Sequence, residues 1–136
     1  MGKIIVAVKG VLIKNNKMLI VQRSLFDETG AGTWESIGGK LEFGESFEDA
    51  LKREFLEEVG LNIFVIRQLF STTFLTHATR QVVLLTFLCD CKNTNITLSD
   101  EHEAYKWASK SELLELLPKP IIDDYKKYHI LDLLED

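Results

Sequence analysis

The chain has 136 residues, 46% of them apolar and 27% charged, which gives one domain (1–136) material for a proper core and excludes a disordered or fibrous chain. Its formal charge is −5, and residues 40–58 supply most of it with seven acids against three bases. No basic stripe exists to displace phosphate counterions, which argues against binding to nucleic-acid duplexes.

Residues 4–8 form an apolar run closed by Lys9, too short to span a membrane and without a cleavage pattern, so neither membrane nor export is expected. Residues 4–13, rich in Val and Ile, predict a buried strand. Asn15-Asn16 suits a tight turn with positive φ, and residues 18–22 return as a second strand with Arg23 at its end. Residues 24–33 carry the Gly, Asp and Thr of a loop, and residues 34–37 form a short extended piece before Gly38-Gly39.

Residues 47–59 predict a helix. Phe47, Ala50, Leu51, Phe55 and Val59 recur at three- and four-residue spacing, which gives one buried face. Ser46 with Asp49 forms a small capping box, and Gly60 stands where a left-handed cap belongs. Residues 62–74 and 81–91 then predict two long strands joined by residues 77–80, followed by a turn at 93–95. An acidic loop, Ser99-Asp100-Glu101-His102-Glu103, leads into a strand at 104–108. Ser109 with Glu112 opens a short helix to Leu117, ended by Pro118 and Pro120. Residues 121–134 predict a final amphipathic helix with Ile121, Ile122, Tyr125, Leu131 and Leu134 inward, and its apolar face could supply a homodimer interface. This order implies an α/β fold, a mixed sheet covered by helices on both faces. Cys89 and Cys91 fit neither a zinc knuckle nor a redox CxxC; they predict reduced, packed thiols on one face of a strand in a cytoplasmic protein.

The polar side of the 47–59 helix carries the chemistry. Glu54, Glu57 and Glu58 stand at i, i+3 and i+4, so their carboxylates share a face, and the last two lie where the helix dipole disfavours negative charge. Held in a cleft at an effective dielectric near 20, a pair about 5 Å apart repels by roughly 3 kcal/mol, which a divalent cation converts into ligation. Oxygen ligands without nearby Cys or His suit magnesium, calcium or manganese better than zinc. The same helix also holds Glu48–Lys52, Asp49–Arg53 and Arg53–Glu57 at i, i+4, so the charges alone fit a solvated, salt-bridged face equally well.

The spacing of the whole stretch separates the two. Gly39, five residues, Glu45, seven residues, Arg53-Glu54, apolar Phe55, one residue, Glu57-Glu58, one residue, Gly60 and apolar Leu61 together resemble the Nudix box of the Nudix (MutT-like) hydrolases. With each fixed type at roughly 5–7% usage, a chance match is on the order of one in a billion per starting position. The resemblance implies an α/β/α sandwich that hydrolyses a pyrophosphate bond in a nucleoside diphosphate linked to another group. It implies that Glu54, Glu57, Glu58 and the carbonyl of Gly38 hold Mg2+, with Mn2+ a substitute, and that Arg53 orients them by pairing with Glu45. Glu54 is the first choice for general base, with Glu101 or Glu103 as an acid recruited from the later loop. Arg23 and Gly39 are candidate contacts to a small-molecule nucleotide substrate. Trp34, Phe26 and Phe74 are candidates for stacking a base, although core packing is the stronger expectation for each. His77, His102 and His129 receive no role.

Ile37 stands where the family usually has proline, which loosens the unfolded state by about 0.4–1 kcal/mol and removes no ligand. No proline occurs between Gly60 and Pro118, as ADP-ribose hydrolases would show, and the first tyrosine is Tyr105. By elimination the resemblance points to hydrolysis of nucleoside triphosphates. Nucleotide sugars or other nucleoside diphosphate derivatives, and a nucleotide-binding module without turnover, are the alternatives.

Overall fold

A computed structural model describes residues 1–27 and 30–135, so Glu28 and Thr29 of the expected 24–33 loop lie outside the described residues. The strands are β1 (Lys3–Lys14), β2 (Lys17–Arg23), β3 (Trp34–Glu35), β4 (Ile37–Lys40), β5 (Ile63–His77), β6 (Arg80–Cys91) and β7 (His102–Ala108). The helices are α1 (Phe47–Val59), α2 (Lys110–Leu116) and α3 (Lys119–Lys127), followed by a 3-10 turn at Leu131–Leu133.

The seven strands form one mixed sheet in the order β3-β2-β1-β6-β5, with β4 pairing β1 and β7 pairing β2. Among the described residues only β1 and β6 run parallel, from Lys3 opposite Arg80 to Leu12 opposite Cys89. The other pairings are antiparallel, and the β1–β2 turn uses Asn15 and Asn16 at φ 50° and 63°, the left-handed conformation that asparagine tolerates.

Strand periodicity builds two cores. Leu19 and Val21 of β2 point to one face and Met18 and Ile20 to the other, and all four are fully buried. On the first face Val8, Leu12, Cys89 and Cys91 meet Ala50, Leu51, Phe55 and Val59 of α1. The ring of Phe55 fills the space that a Cβ on Gly10 would need. On the second face Val11 and Phe70 pack under Leu113, Ile122, Tyr125 and Leu131. The two cysteines are buried free thiols.

α1 has the expected bounds. Ser46 Oγ accepts from the Asp49 amide at 3.1 Å, and Gly60 closes the helix at φ 70°. Only that half of the cap forms here, whereas Ser109 and Glu112 make the full reciprocal box on α2. Phe47, expected inward, is 40% exposed. The C-terminal helix departs further from expectation: it begins at Lys119 and stops at Lys127. His129 turns left-handed at φ 60°, and the amides of His129 and Ile130 donate back to Lys126 and Tyr125. These are the two bonds of a Schellman stop, which turns Ile130 and Leu131 into the core in place of a continued helix.

Candidate active site

The carboxylates gather where the last turns of α1 meet β3, β4 and the loop before β7. Amides of Thr97 and Ser99 donate to the carbonyls of Val59 and Glu58 at 2.9 and 3.0 Å, pinning the acidic loop to the helix end. β2 sets the opposite wall: Val21 pairs with Glu35 and Arg23 with His102, so Glu35 and His102 flank Arg23 from both sides. The resulting cavity is about 460 Å³ and is lined by Arg23, Glu35, Gly38, Glu58, Glu101 and His102, among others.

Arg53 organises the helix side. Its Nε and Nη2 donate to the two oxygens of Glu45 at 2.8 and 2.9 Å, a bidentate clamp, and Nη2 also donates to the Lys40 carbonyl at 3.0 Å. Nη1 reaches Glu54 at 3.0 Å and Glu57 at 3.4 Å. Hydrogen bonds from Arg53 and from the Glu42 amide hold the Glu45 carboxyl down at about 2. Glu54 lies against the backbone of β4, since a Cβ on Gly39 would sit 2.7 Å from its Cδ. A Cβ on Gly38 would overlap the carbonyl oxygen of Val8, so this position admits only glycine.

Glu58 is the buried member. Its side chain is 6% exposed, its Oε1 lies 3.5 Å from His102 Nε2, and its Oε2 has no hydrogen-bond partner. Burial pushes its carboxyl up to about 9, against the pull of Lys9, and the nearby Glu54 and Glu35 carboxylates add to the rise. Glu35 shows the reverse outcome. Burial would raise it, but His102, Lys9 and Arg23 together bring it down to about 2, with Arg23 Nε at 2.6 Å and Lys9 Nζ at 3.5 Å.

The sequence candidates are therefore only partly assembled. Gly38, Glu58, Arg23 and Glu101 share one cavity, Glu54 lies against Gly39 outside its lining, and Glu57, with its side chain 60% exposed, meets Arg53 and does not line it. Arg23 is already engaged by Glu35 and, at 3.5 Å, by Asp27. Glu103 accepts from the Leu25 amide at 3.2 Å and does not line the cavity. Of the three aromatic candidates, Trp34 packs against the second core as expected, whereas Phe26 and Phe74 are exposed. Phe26 is 92% exposed at the cavity mouth, while Trp34 and Phe74 line an adjoining groove of about 870 Å³.

Sequence reasoning missed Glu35 and His102. Among the described residues these two and Glu58 bring ligand atoms within 4.8 Å of one another. Neither lies in the box, and only the pairing of β2 with β3 and β7 reveals them.

This geometry, an acidic helix end opposed to a glycine-rich strand inside an α/β/α sandwich, defines a Nudix-type site. The chain belongs to the Nudix family of hydrolases: the family's NUDIX domain model matches residues 3–130. It is similar to the nucleoside triphosphatase NudI of Enterobacter sp. (strain 638), 27% identical over 75% of this chain and 80% of that protein. A MutT-like protein of Streptomyces ambofaciens is 32% identical over 81% of this chain and 67% of its own length. The crystal structure of the MutT protein from Methanosarcina mazei Go1 superposes with a TM-score of 0.84 at 25% identity, over 96% of both chains. Among the described residues no helix is long and apolar enough to cross a membrane.

Proposed function

We propose that this hydrolase cleaves a pyrophosphate bond in a nucleoside triphosphate or a related nucleoside diphosphate derivative, with Mg2+ or Mn2+ as cofactor. The observation that carries the cofactor is Glu58. A buried carboxyl with one orphaned oxygen, beside Glu54 and the Gly38 backbone, is a donor in need of a cation, and the oxygen-rich set suits a hard divalent ion. Glu54, Glu57, Glu58 and the Gly38 carbonyl would hold it. When bound, the ion supplies neutralisation of the phosphate oxygens and a more acidic water.

The protein's own groups do the rest. Arg53, clamped to Glu45, fixes Glu54 against Gly39 so that its carboxylate accepts the proton of the attacking water. Glu101, which lines the cavity, is the second acid. Arg23, half-exposed in the wall, contacts a phosphate oxygen, and Gly39, which lets the Glu54 carboxylate lie against its backbone, contributes to substrate binding through that contact. The adjoining groove with Trp34 and Phe74 accommodates the nucleoside. The name of the NudI relative, a nucleoside triphosphatase, supports the triphosphate class.

A nucleotide panel run with magnesium in oxygen-18 water, with products identified by mass, gives substrate and attacked phosphorus together. Glu57→Gln, at an exposed position, is expected to fold normally and to lose turnover by about 100-fold or more. A Glu57→Gln protein as active as the wild type would remove the ligand set.

A further inference from the structure

Lys3, Ile5, Ala7 and Lys9 of β1 share one face of the sheet, beyond the part that Val11 packs under α2 and α3. Lys9 and Ala7 border the nucleoside groove, and Ile5 and Lys3 continue into a separate cavity of about 450 Å³. At about 3.3 Å per residue, Lys3 lies roughly 20 Å along the strand from Lys9. The far cavity is lined by Lys3, Lys40, His77, Thr79 and Arg80, and no carboxylate lines it.

The register explains the gathering. Lys3 pairs with Arg80 across β1–β6 and Ala7 pairs with Lys40 across β1–β4, so the three cations share a face although they come from three strands. Distance in sequence is why no basic stripe is visible in the chain. Lys9, Lys14, Arg23, Arg53 and Lys106 are each closed by an acid, whereas among the described residues Lys3, Lys40 and Arg80 make no ion pair. Lys3 and Arg80 are like charges directly opposite each other, a destabilising arrangement. His77 adds a donor. Its Nδ1 is 3.4 Å from the Thr79 amide, which donates to it, and 3.1 Å from Thr79 Oγ1, so the ring proton is placed on Nε2.

We propose that Lys3, Lys40 and Arg80 form a second anion site, for a phosphate-bearing group, at the far end of the substrate face. The group is either a distal phosphate of a long substrate laid along the groove or a free polyphosphate. The substrate version rests on the function proposed above; the binding itself does not.

The probe is inorganic tripolyphosphate, titrated calorimetrically into the whole chain at low ionic strength with EDTA and no divalent metal. One saturable site is expected, weakened about tenfold or more in Lys3→Gln/Arg80→Gln. Lys3→Arg/Arg80→Lys is expected to retain it, and Glu57→Gln to leave it unchanged. Equal affinity in the wild type and in Lys3→Gln/Arg80→Gln, or no binding to the wild type, overturns the proposal. Melting curves of both double variants guard against loss of fold. The source is then read with magnesium present, from kcat/KM for a nucleoside triphosphate and for a 5′-triphosphorylated trinucleotide ending in a 3′-phosphate. A preference for the longer compound that disappears in Lys3→Gln/Arg80→Gln assigns the site to substrate. Equal preference in all proteins, with tripolyphosphate still bound by the wild type, assigns it to a free polyphosphate. Absence of any turnover would refute the hydrolytic function and leave the metal-free titration standing.

Discussion

Glu58 and His102 meet in a nearly buried junction at the wall of the cavity: Oε1 and Nε2 are 3.5 Å apart on side chains only 6% and 3% exposed. One comes from the last turn of α1 and the other opens β7, and Glu35 approaches the same ring nitrogen at 3.8 Å. His102→Ala would leave the buried Glu58 and the partly buried Glu35 without the ring nitrogen they share. Unfolding free energy in EDTA is expected to fall by roughly 1–3 kcal/mol, measured by urea titration. An unchanged midpoint would show that the imidazole does not hold this junction together.

Gly38 and Gly39 are expected to fail in different ways. A methyl on Gly38 meets the fixed carbonyl of Val8, so Gly38→Ala should cost more than about 2 kcal/mol of stability or prevent folding. A methyl on Gly39 meets the carboxylate end of Glu54, which can swing aside. Gly39→Ala should therefore keep nearly normal thermal stability while kcat drops about tenfold or more. Melting temperature and kcat, measured on both variants, separate the two; equal stability losses would contradict it.

Arg53→Lys tests the clamp. An ammonium cannot reproduce the two bonds to Glu45 together with those to Glu54 and Lys40. The expected result is a fall in kcat of about 10- to 100-fold with KM little changed, because positioning is lost and substrate contacts are not. Steady-state kinetics across the substrate found in the panel would show it, and wild-type kcat would dismiss the clamp.

Glu58 and the pair Glu35 and Glu45 impose pH dependence in separate windows. A carboxyl raised to about 9 from 4.5 stabilises the fold fully below pH 4.5 and loses that contribution as pH climbs to about 9. The lowered carboxyls of Glu35 and Glu45, at about 2, stabilise above pH 4.5 and lose that contribution as pH falls toward 2. Urea midpoints in EDTA should therefore decline from pH 4.5 to 9 in the wild type, and the decline should flatten in Glu58→Gln. Saturating magnesium should oppose the upper decline, since the ion takes the ionised carboxylate. A Glu58→Gln protein with the wild-type slope would assign the effect elsewhere.

Local rules carried far in this chain because much of the fold is locally consistent. The 3.6 period, Ser46 and Gly60 define α1, and Asn15-Asn16 defines its turn. The C-terminal helix is shorter than its apolar spacing predicts, because that spacing runs on past Lys127 and nothing in residues 128–131 signals that His129 adopts a left-handed stop. At the candidate site the box glutamates and Arg53 stand out because they lie close together in sequence. Glu35 and His102 lie 67 residues apart in numbering, and each reaches the cavity only through a strand pairing that local pattern does not encode.

The parallel pairing of β1 with β6 has a consequence for how the molecule comes into being. During synthesis the first strand must wait for residues 80–91 to leave the ribosome before its long edge can close. Until then α1 has only part of the floor it packs on, and an isolated thirteen-residue helix is marginal in water. The acidic face of α1 therefore matures late, after the second half of the chain has arrived to hold it.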